Sequence, residues 1–251
     1  MRKHRPASAL FISDLHLSEA QPQALRVFLS FLRGPARSAE ALYILGDLFE
    51  YWAGDDDLDA PLNRTVRDAL ADLAAAGVPV YFLAGNRDFL LGEAFARAAQ
   101  IELLPDPTLI EIAGQRVLLT HGDALCTDDQ AYQAYRKQVR DPAWQSAFLN
   151  RPLAERKQII EELRQQSEAA KQVKATEIMD VNPSAVEALL RKHAYPALLH
   201  GHTHRPAHHV LRIDGRHCER WVLEDWHNDA PYIRWDASGT KMLRYASPDG
   251  D

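Results

Sequence analysis

Five short apolar runs in this chain each end on a residue able to bind a metal ion. Ala9–Ile12 leads into Ser13-Asp14-Leu15-His16, and Ala41–Leu45 leads into Gly46-Asp47. Val78–Leu83 leads into Gly85-Asn86-Arg87-Asp88, and Gln115–Thr120 into His121-Gly122-Asp123. Tyr195–Leu199 meets His200-Gly201-His202-Thr203-His204. Apolar runs of this length, bounded by polar turns, read as buried strands. In extended chain, residues i and i+2 point the same way, so Asp14 and His16 are expected to converge. Buried Asp and His without partners are costly. So many of them at strand ends imply a cation, and a mixed carboxylate, amide and imidazole set suits Mn, Fe or Zn.

Helical patterns separate the early strands. Leu25, Phe28, Leu29 and Leu32 recur at helical spacing between Gln21 and Arg33, and Gly34-Pro35 stops that helix. A second helix is expected over Pro61–Ala76, closed by Gly77. Strand–helix alternation predicts right-handed βαβ units and a largely parallel sheet, with the site where the strands end. From Thr127 to about Met179 only polar-rich helical pattern appears, which reads as a helical lid over 127–180 inserted in one domain spanning 1–251. Within it, Thr127 and Gln130 have capping-box spacing, and Asp141-Pro142 reads as an N-cap followed by a first-turn proline. A helix from Pro183 to His193 returns to the main fold. Short β-like runs follow over His208–Ile213, His217–Leu223, Tyr232–Trp235 and Lys241–Tyr245, and are expected to form a second, more antiparallel sheet. Asp214-Gly215 marks a hairpin turn between the first two.

Bulk properties narrow the class. With 46% hydrophobic and 25% charged residues the composition is that of a soluble globular protein. A net charge of -6 argues against a duplex nucleic-acid partner, which demands a basic face. Cys126 and Cys218 are far apart and form no CxxC, which points to a reducing compartment without a disulfide scaffold. The basic start Met1–Arg5 precedes an apolar run too short for a signal peptide, so no secretion signal is expected. No stretch is long and apolar enough to span a bilayer, so any membrane engagement is peripheral.

In order and spacing, Asp14-x-His16, Gly46-Asp47, Gly85-Asn86, His121 and Gly201-His202-x-His204 resemble the five blocks of the calcineurin-like metallophosphoesterases. The resemblance implies an α/β fold of two packed mixed β-sheets flanked by helices. It also implies two ions bridged by one aspartate. Asp14, His16, Asp47 and His204 would hold one, and Asp47, Asn86, His121 and His202 the other. Two ions ~3.5–4 Å apart can orient and ionise water and neutralise a phosphorus-bound oxygen. Asn86, Arg87 and His121 are the expected catalytic residues. The family's third block usually carries His after the Asn, and here Arg87 stands there. An arginine cannot act as general acid but can clamp phosphate oxygens bidentately. A phosphate leaving group, with a second pKa of ~6, needs no such acid. Arg87 therefore points to a diphosphate bond rather than a simple ester.

The blocks around Gly46–Asp56, Gly85–Phe89 and His200–Pro206, together with the helical insert, are similar to the branch of that family that cleaves acylated UDP-glucosamine in lipid A biosynthesis. That likeness implies water attack at the α-phosphorus, two Mn2+ ions, and a peripheral position on the cytoplasmic face of a bacterial inner membrane, with no obligate protein partner. It also places Asn86, Arg87, Asp129, Ser167, Lys171, Lys174 and His202 as substrate contacts. At ~100° per residue, Leu153, Ile160, Ser167, Lys171 and Lys174 share one helix face, an apolar stripe that turns cationic. Trp144, Phe148 and Leu149 supply an aromatic-rich stretch for core packing or for acyl chains. His208 and His209 read as plain strand residues, and Asp55-Asp56-Asp57 as a solvated acidic loop. A rival of the same superfamily would act on soluble nucleotides. A non-catalytic scaffold is disfavoured because every ligand position is filled.

Overall fold

The computed structural model describes residues 6–173 and 180–247, the side chains of 166–173 excepted. The chain starts with strand β1 (Ser8–Ile12), helix α1 (Pro22–Arg33), β2 (Leu42–Ile44), α2 (Pro61–Ala75) and β3 (Val80–Leu83). These build parallel pairs, Leu10 opposite Leu42 and Leu42 opposite Val80. Alternation along each strand divides its side chains between two cores. Leu10, Ile12, Leu42 and Ile44 face the helices, while Ala9, Phe11 and Tyr43 face the opposite sheet. On α1 the buried stripe is Ala24, Val27, Phe28, Phe31 and Leu32, with Leu25 and Leu29 at its margin.

The next stretch carries elements beyond those expected: α3 (Glu93–Ala99), β4 (Ile101–Leu104) and β5 (Thr108–Ile112). β4 extends the first sheet in parallel with β3, and β5 opens the second sheet by pairing antiparallel with β6 (Gln115–Leu119). Three helices follow, α4 (Gln130–Val139), α5 (Pro142–Leu149) and α6 (Leu153–Val173), where the lid was expected. α5 is capped by Asp141, whose carboxylate accepts from the amides of Ala143 and Trp144. α4 is capped by Asp129, not by Thr127, because it is Asp129 that accepts from the Tyr132 amide. Next come α7 (Pro183–Lys192), capped by Asn182, and β7 (Ala197–His200).

The C-terminal strands are β8 (Ala207–Ile213), β9 (Arg216–Val222), β10 (Ala230–Asp236) and β11 (Gly239–Tyr245). They do not form one sheet of their own. β9 lies parallel to β7 in the second sheet with β8 outside it, whereas β10 crosses to the first sheet and pairs antiparallel with β1. The result is two mixed sheets, ordered β11-β10-β1-β2-β3-β4 and β5-β6-β7-β9-β8. Phe11, Tyr43, Val117, Leu119, Leu199, Trp221 and Trp235 fill the space between them. α1–α3 cover the first sheet, and α7 packs Val186 and Leu190 on Leu118 and Leu198 of the second. Asp214 and Gly215 both have positive φ, 51° and 77°, as a tight hairpin turn requires.

Candidate metal centre and substrate cleft

The carboxyl ends of β1, β2, β3, β6 and β7 deliver the expected ligands to one place. Asp14 and Asp47 are buried, as is His121. Asp14 Oδ1 accepts no hydrogen bond and faces His204 Nε2 at 3.3 Å. His204 Nε2 in turn stands 3.4 Å from His16 Nε2. Asp47 Oδ2 lies 3.9 Å from His16 Nε2, and Asp47 Oδ1 lies 3.7 Å from His121 Nε2, so this carboxylate faces both halves of the site. Asn86 Oδ1 sits between His121 Nε2 at 2.9 Å and His202 Nδ1 at 2.8 Å. Asp14, His16 and His204 bring ligand atoms within 4.8 Å of one another, and so do Asp14, Asp47 and His121. An orphaned buried oxygen and converging imidazole nitrogens are what a divalent cation satisfies, and the oxygen–nitrogen donor set suits a hard or borderline metal.

Asp14 and His16 do not converge by extended backbone. Both are left-handed, with φ of 56° and 50°, as are Asp47 (53°), His202 (66°) and His204 (53°). Non-glycine residues in this region are uncommon and cluster at functional sites. The loops also pack backbone on backbone. A Cβ on Gly85 would collide with the Asp47 carboxylate, and one on Gly201 with Ser13 and Asp14. Glycine at these two positions lets the β3 loop approach the β2 loop and the β7 loop approach the β1 loop.

A second layer holds the ligands and was not read from the sequence. Glu50 Oε2 stands 2.9 Å from His16 Nδ1, and Asp225 Oδ2 stands 3.2 Å from His204 Nδ1. The Leu45 carbonyl lies 2.8 Å from His121 Nδ1. Such partners fix the ring orientation of metal-binding histidines. Asp88, buried, accepts from the amides of Leu48 at 2.7 Å and Gly85 at 2.8 Å, which ties the second and third loops together. Asp123 receives Tyr132 Oη and Arg136 Nε, both at 2.8 Å, so α4 is moored to the loop after His121.

Charge sets the proton state. Burial works against a charged His204, but the Asp14 and Asp225 carboxylates beside its two ring nitrogens win and push its pKa up to about 10. Burial likewise opposes charge on His121, and the carboxylates of Asp47 and Asp14 raise it to about 9. His202 goes the other way, down to about 4, through burial and then the neighbouring His121. Burial would raise Asp14, yet its histidine partners hold it well below the usual carboxylate range. Without metal, protons on imidazoles balance the carboxylates.

A cleft of about 400 Å³ opens from this edge toward the lid. Asn86, Arg87 and Glu50 line its polar end; Phe89, Trp144, Phe148 and Ile160 line an apolar end. Trp144 and Phe148 stack 5.0 Å apart, and Phe89 lies 6.5 Å from Trp144. The Arg87 amide donates to Asp47 Oδ1 at 2.8 Å, fixing its loop on a ligand, while its guanidinium faces the cleft 3.8 Å from Glu50. Asp129 is nearly buried as the cap of α4. Ser167 and Lys171 fall within α6, but their side chains lie outside the described residues, and Lys174 lies outside them altogether. Leu149, 39% exposed, stays at the surface.

The acidic run is not a solvated loop. Asp55 accepts from Trp52 Nε1 and from the amides of Gly92, Ala94 and Phe95 at 2.8–3.1 Å. Asp56 pairs with the fully buried Arg156, and Asp57 lies 2.7 Å from Lys157, so both hold α6 down. His208 and His209 sit in β8 as expected, His208 stacked on Trp221 at 3.8 Å.

Residues 7–206 match the family of calcineurin-like phosphoesterases. A protein of Aromatoleum aromaticum called UDP-2,3-diacylglucosamine hydrolase is 67% identical over 244 residues, covering 97% of this chain and 99% of that one. Proteins of the same name from Stenotrophomonas maltophilia (strain K279a) and Edwardsiella ictaluri are 49% and 50% identical, each over 94% of this chain and over 97% and 91% of their own.

Proposed function

Because the chain belongs to the calcineurin-like phosphoesterase family, we propose that it hydrolyses the diphosphate bond of a UDP-linked 2,3-diacylated glucosamine, releasing UMP and the acylated sugar 1-phosphate. The observation that carries this reading is the cleft. It joins a cationic, ligand-lined end at Arg87 and Asn86 to an aromatic slot between Phe89 and the lid. A soluble nucleotide has no use for that slot, whereas an acylated sugar phosphate needs both ends. The relatives' shared name points the same way.

Two ions, Mn2+ by preference, would be held by Asp14, His16, Asp47 and His204 and by Asp47, Asn86, His121 and His202. Bound divalent ions acidify water and neutralise charge on a phosphoryl oxygen. The remaining work belongs to the chain. Arg87 clamps the diphosphate oxygens, and its backbone bond to Asp47 sets that clamp at a fixed place relative to the ligands. Asn86 Oδ1 lies within 2.9 Å of His121 Nε2 and His202 Nδ1, so three donor atoms are already gathered where the second ion would be held. No residue need protonate the leaving group, because the sugar phosphate departs as a stable anion. The aromatic slot orients the acyl chains and so the sugar phosphate attached to them. Ser167, Lys171 and Lys174 are proposed to meet the sugar phosphate from α6 and the segment after it, with Asp129 beside them. Among the described residues no helix is long and apolar enough to cross a membrane. We place the enzyme peripherally on the cytoplasmic face of a bacterial inner membrane, where its acylated substrate partitions.

Phosphorus NMR of products formed in oxygen-18 water tests the reading. The label is expected in UMP. Label in the sugar phosphate, or turnover of soluble diesters with none of the acylated UDP-sugar, overturns it. Lys174→Ala should lower kcat/KM for the acylated substrate and leave a small artificial phosphodiester nearly unaffected; equal losses on both remove Lys174 from the substrate site.

A further inference from the structure

One carboxylate joins the metal edge to the lid. Glu50 leaves the loop after β2 and is only 14% exposed. Its Oε2 stands 2.9 Å from Nδ1 of His16, and its Oε1 takes Nε of Arg164 at 3.1 Å and Nη2 at 3.0 Å. Arg164 belongs to α6, more than a hundred residues further along the chain. The other histidine of the same ligand group, His204, is backed by Asp225, whose second partner is His227, 72% exposed and outside the lid. The two backing carboxylates are thus unequal, and only Glu50 touches a lid helix.

We propose that Glu50 is a positioning residue that couples the seating of α6 to the metal affinity of the His16 ligand group. With Arg164 in place, Glu50 is held from the far side and fixes the His16 ring with Nε2 toward Asp14 and Asp47. With α6 displaced, Glu50 loses the two donors that grip its Oε1 and keeps only the looser Arg87 guanidinium, 3.8 Å away, so the ring is aimed less firmly. Coupling between two sites is reciprocal, so an ion bound by His16 must in turn favour the seated lid. A substrate that enters under α6 therefore meets a metal edge whose readiness depends on the lid's position. The inference rests on the dimetal reading above but not on the identity of the substrate.

The test uses the full metal-free chain and Mn2+ alone, with free Mn2+ followed by electron paramagnetic resonance. Loss of a ligand's backing partner lowers metal affinity ~10–100-fold, which is the expectation for Glu50→Gln at one of the two ions. Arg164→Gln, which removes a group touching no ligand, should weaken the same ion on the order of threefold or more, and Arg164→Lys should recover part of that loss. The double variant should be no weaker than Glu50→Gln alone, whereas Asp225→Asn and Arg164→Gln should add. Wild-type Mn2+ affinity in Arg164→Gln, or additive losses with Glu50→Gln, overturns the coupling. Should Glu50→Gln fail to fold, the Gln and Lys variants of Arg164 decide by themselves, since that side chain is only part-buried on α6. No substrate enters the assay, so an error in the proposed substrate leaves these outcomes untouched. A wild-type chain that takes up no Mn2+ overturns both the dimetal reading and the coupling.

Discussion

Asp55→Ala tests the central structural surprise of the acidic run. In the native protein the two oxygens of Asp55 accept four hydrogen bonds, three of them from the amides that begin α3 and one from the indole of Trp52. The capping position itself is Gly92, which has no side chain to offer, so Asp55 supplies the cap from another loop. Losing a helix cap costs about 0.5–2 kcal/mol. Trp52 is 2% exposed, so its indole N–H has no water to turn to; a stranded buried donor costs about 1–3 kcal/mol. The combined loss is about 1.5–5 kcal/mol. For a domain of this size each kcal/mol lowers Tm by about 2–4 °C, which gives a fall of roughly 3–20 °C. The assay is thermal unfolding by circular dichroism with a chelator present, so that ion binding cannot mask the loss. Asp55→Asn keeps one acceptor oxygen and should fall between the two. An alanine variant that melts within about 1 °C of wild type would refute the capping argument and return the run to a solvated loop.

The other expectations concern the site. Asp47→Ala should abolish both ion binding and turnover; metal analysis finding two ions and near-normal rates would remove Asp47 from the bridge. Arg87→Ala should cost about 2–4 kcal/mol in kcat/KM on the diphosphate substrate, the range for a preorganised electrostatic donor, and a wild-type rate would end its role as clamp. His121 and His204 have pKa values raised to about 9 and about 10, so their stabilisation is complete below the free value of 6.5 and is lost as pH rises through 9–10. The metal-free protein should therefore melt lower at pH 9.5 than at pH 6.5, and Mn2+ binding at pH 7 should release protons, visible in calorimetry as an enthalpy that varies with buffer. Equal melting at both pH values and a buffer-independent enthalpy would contradict the assigned proton states.

What the sequence makes plain is local. The ligands sit one to five residues beyond apolar runs, so a reading of strand ends finds Asp14, His16, Asp47, Asn86, His121, His202 and His204 together. The helical insert is equally legible, because three helices occupy one uninterrupted stretch without strand pattern. Partners distant in sequence are not legible. Nothing near Asp55 announces α3 some forty residues on, and nothing near Glu50 announces Arg164. Arg156 looks like a surface cation on a polar helix until Ala53 and Asp56 close around it. The division of β8–β11 between two sheets is likewise a matter of tertiary pairing, since all four are seven-residue runs of mixed polarity and nothing within them names a partner strand. β4 is a four-residue run and α3 only two turns, too short for periodicity to distinguish.

The left-handed backbone at Asp14, His16, Asp47, His202 and His204 also narrows which metals the edge can be furnished for. Among residues with side chains, Asn, Asp and His enter that conformation several times more readily than the rest, and β-branched ones hardly at all. Those three are also oxygen and imidazole donors. The shape of the turns and the chemistry of the ligands thus select the same small alphabet. Cysteine is not among the residues enriched there, so conformation and ligand chemistry lean the same way. At these five positions an exchange for a thiol would add a conformational cost to the change of ligand, so the backbone favours the hard and borderline donors it already carries.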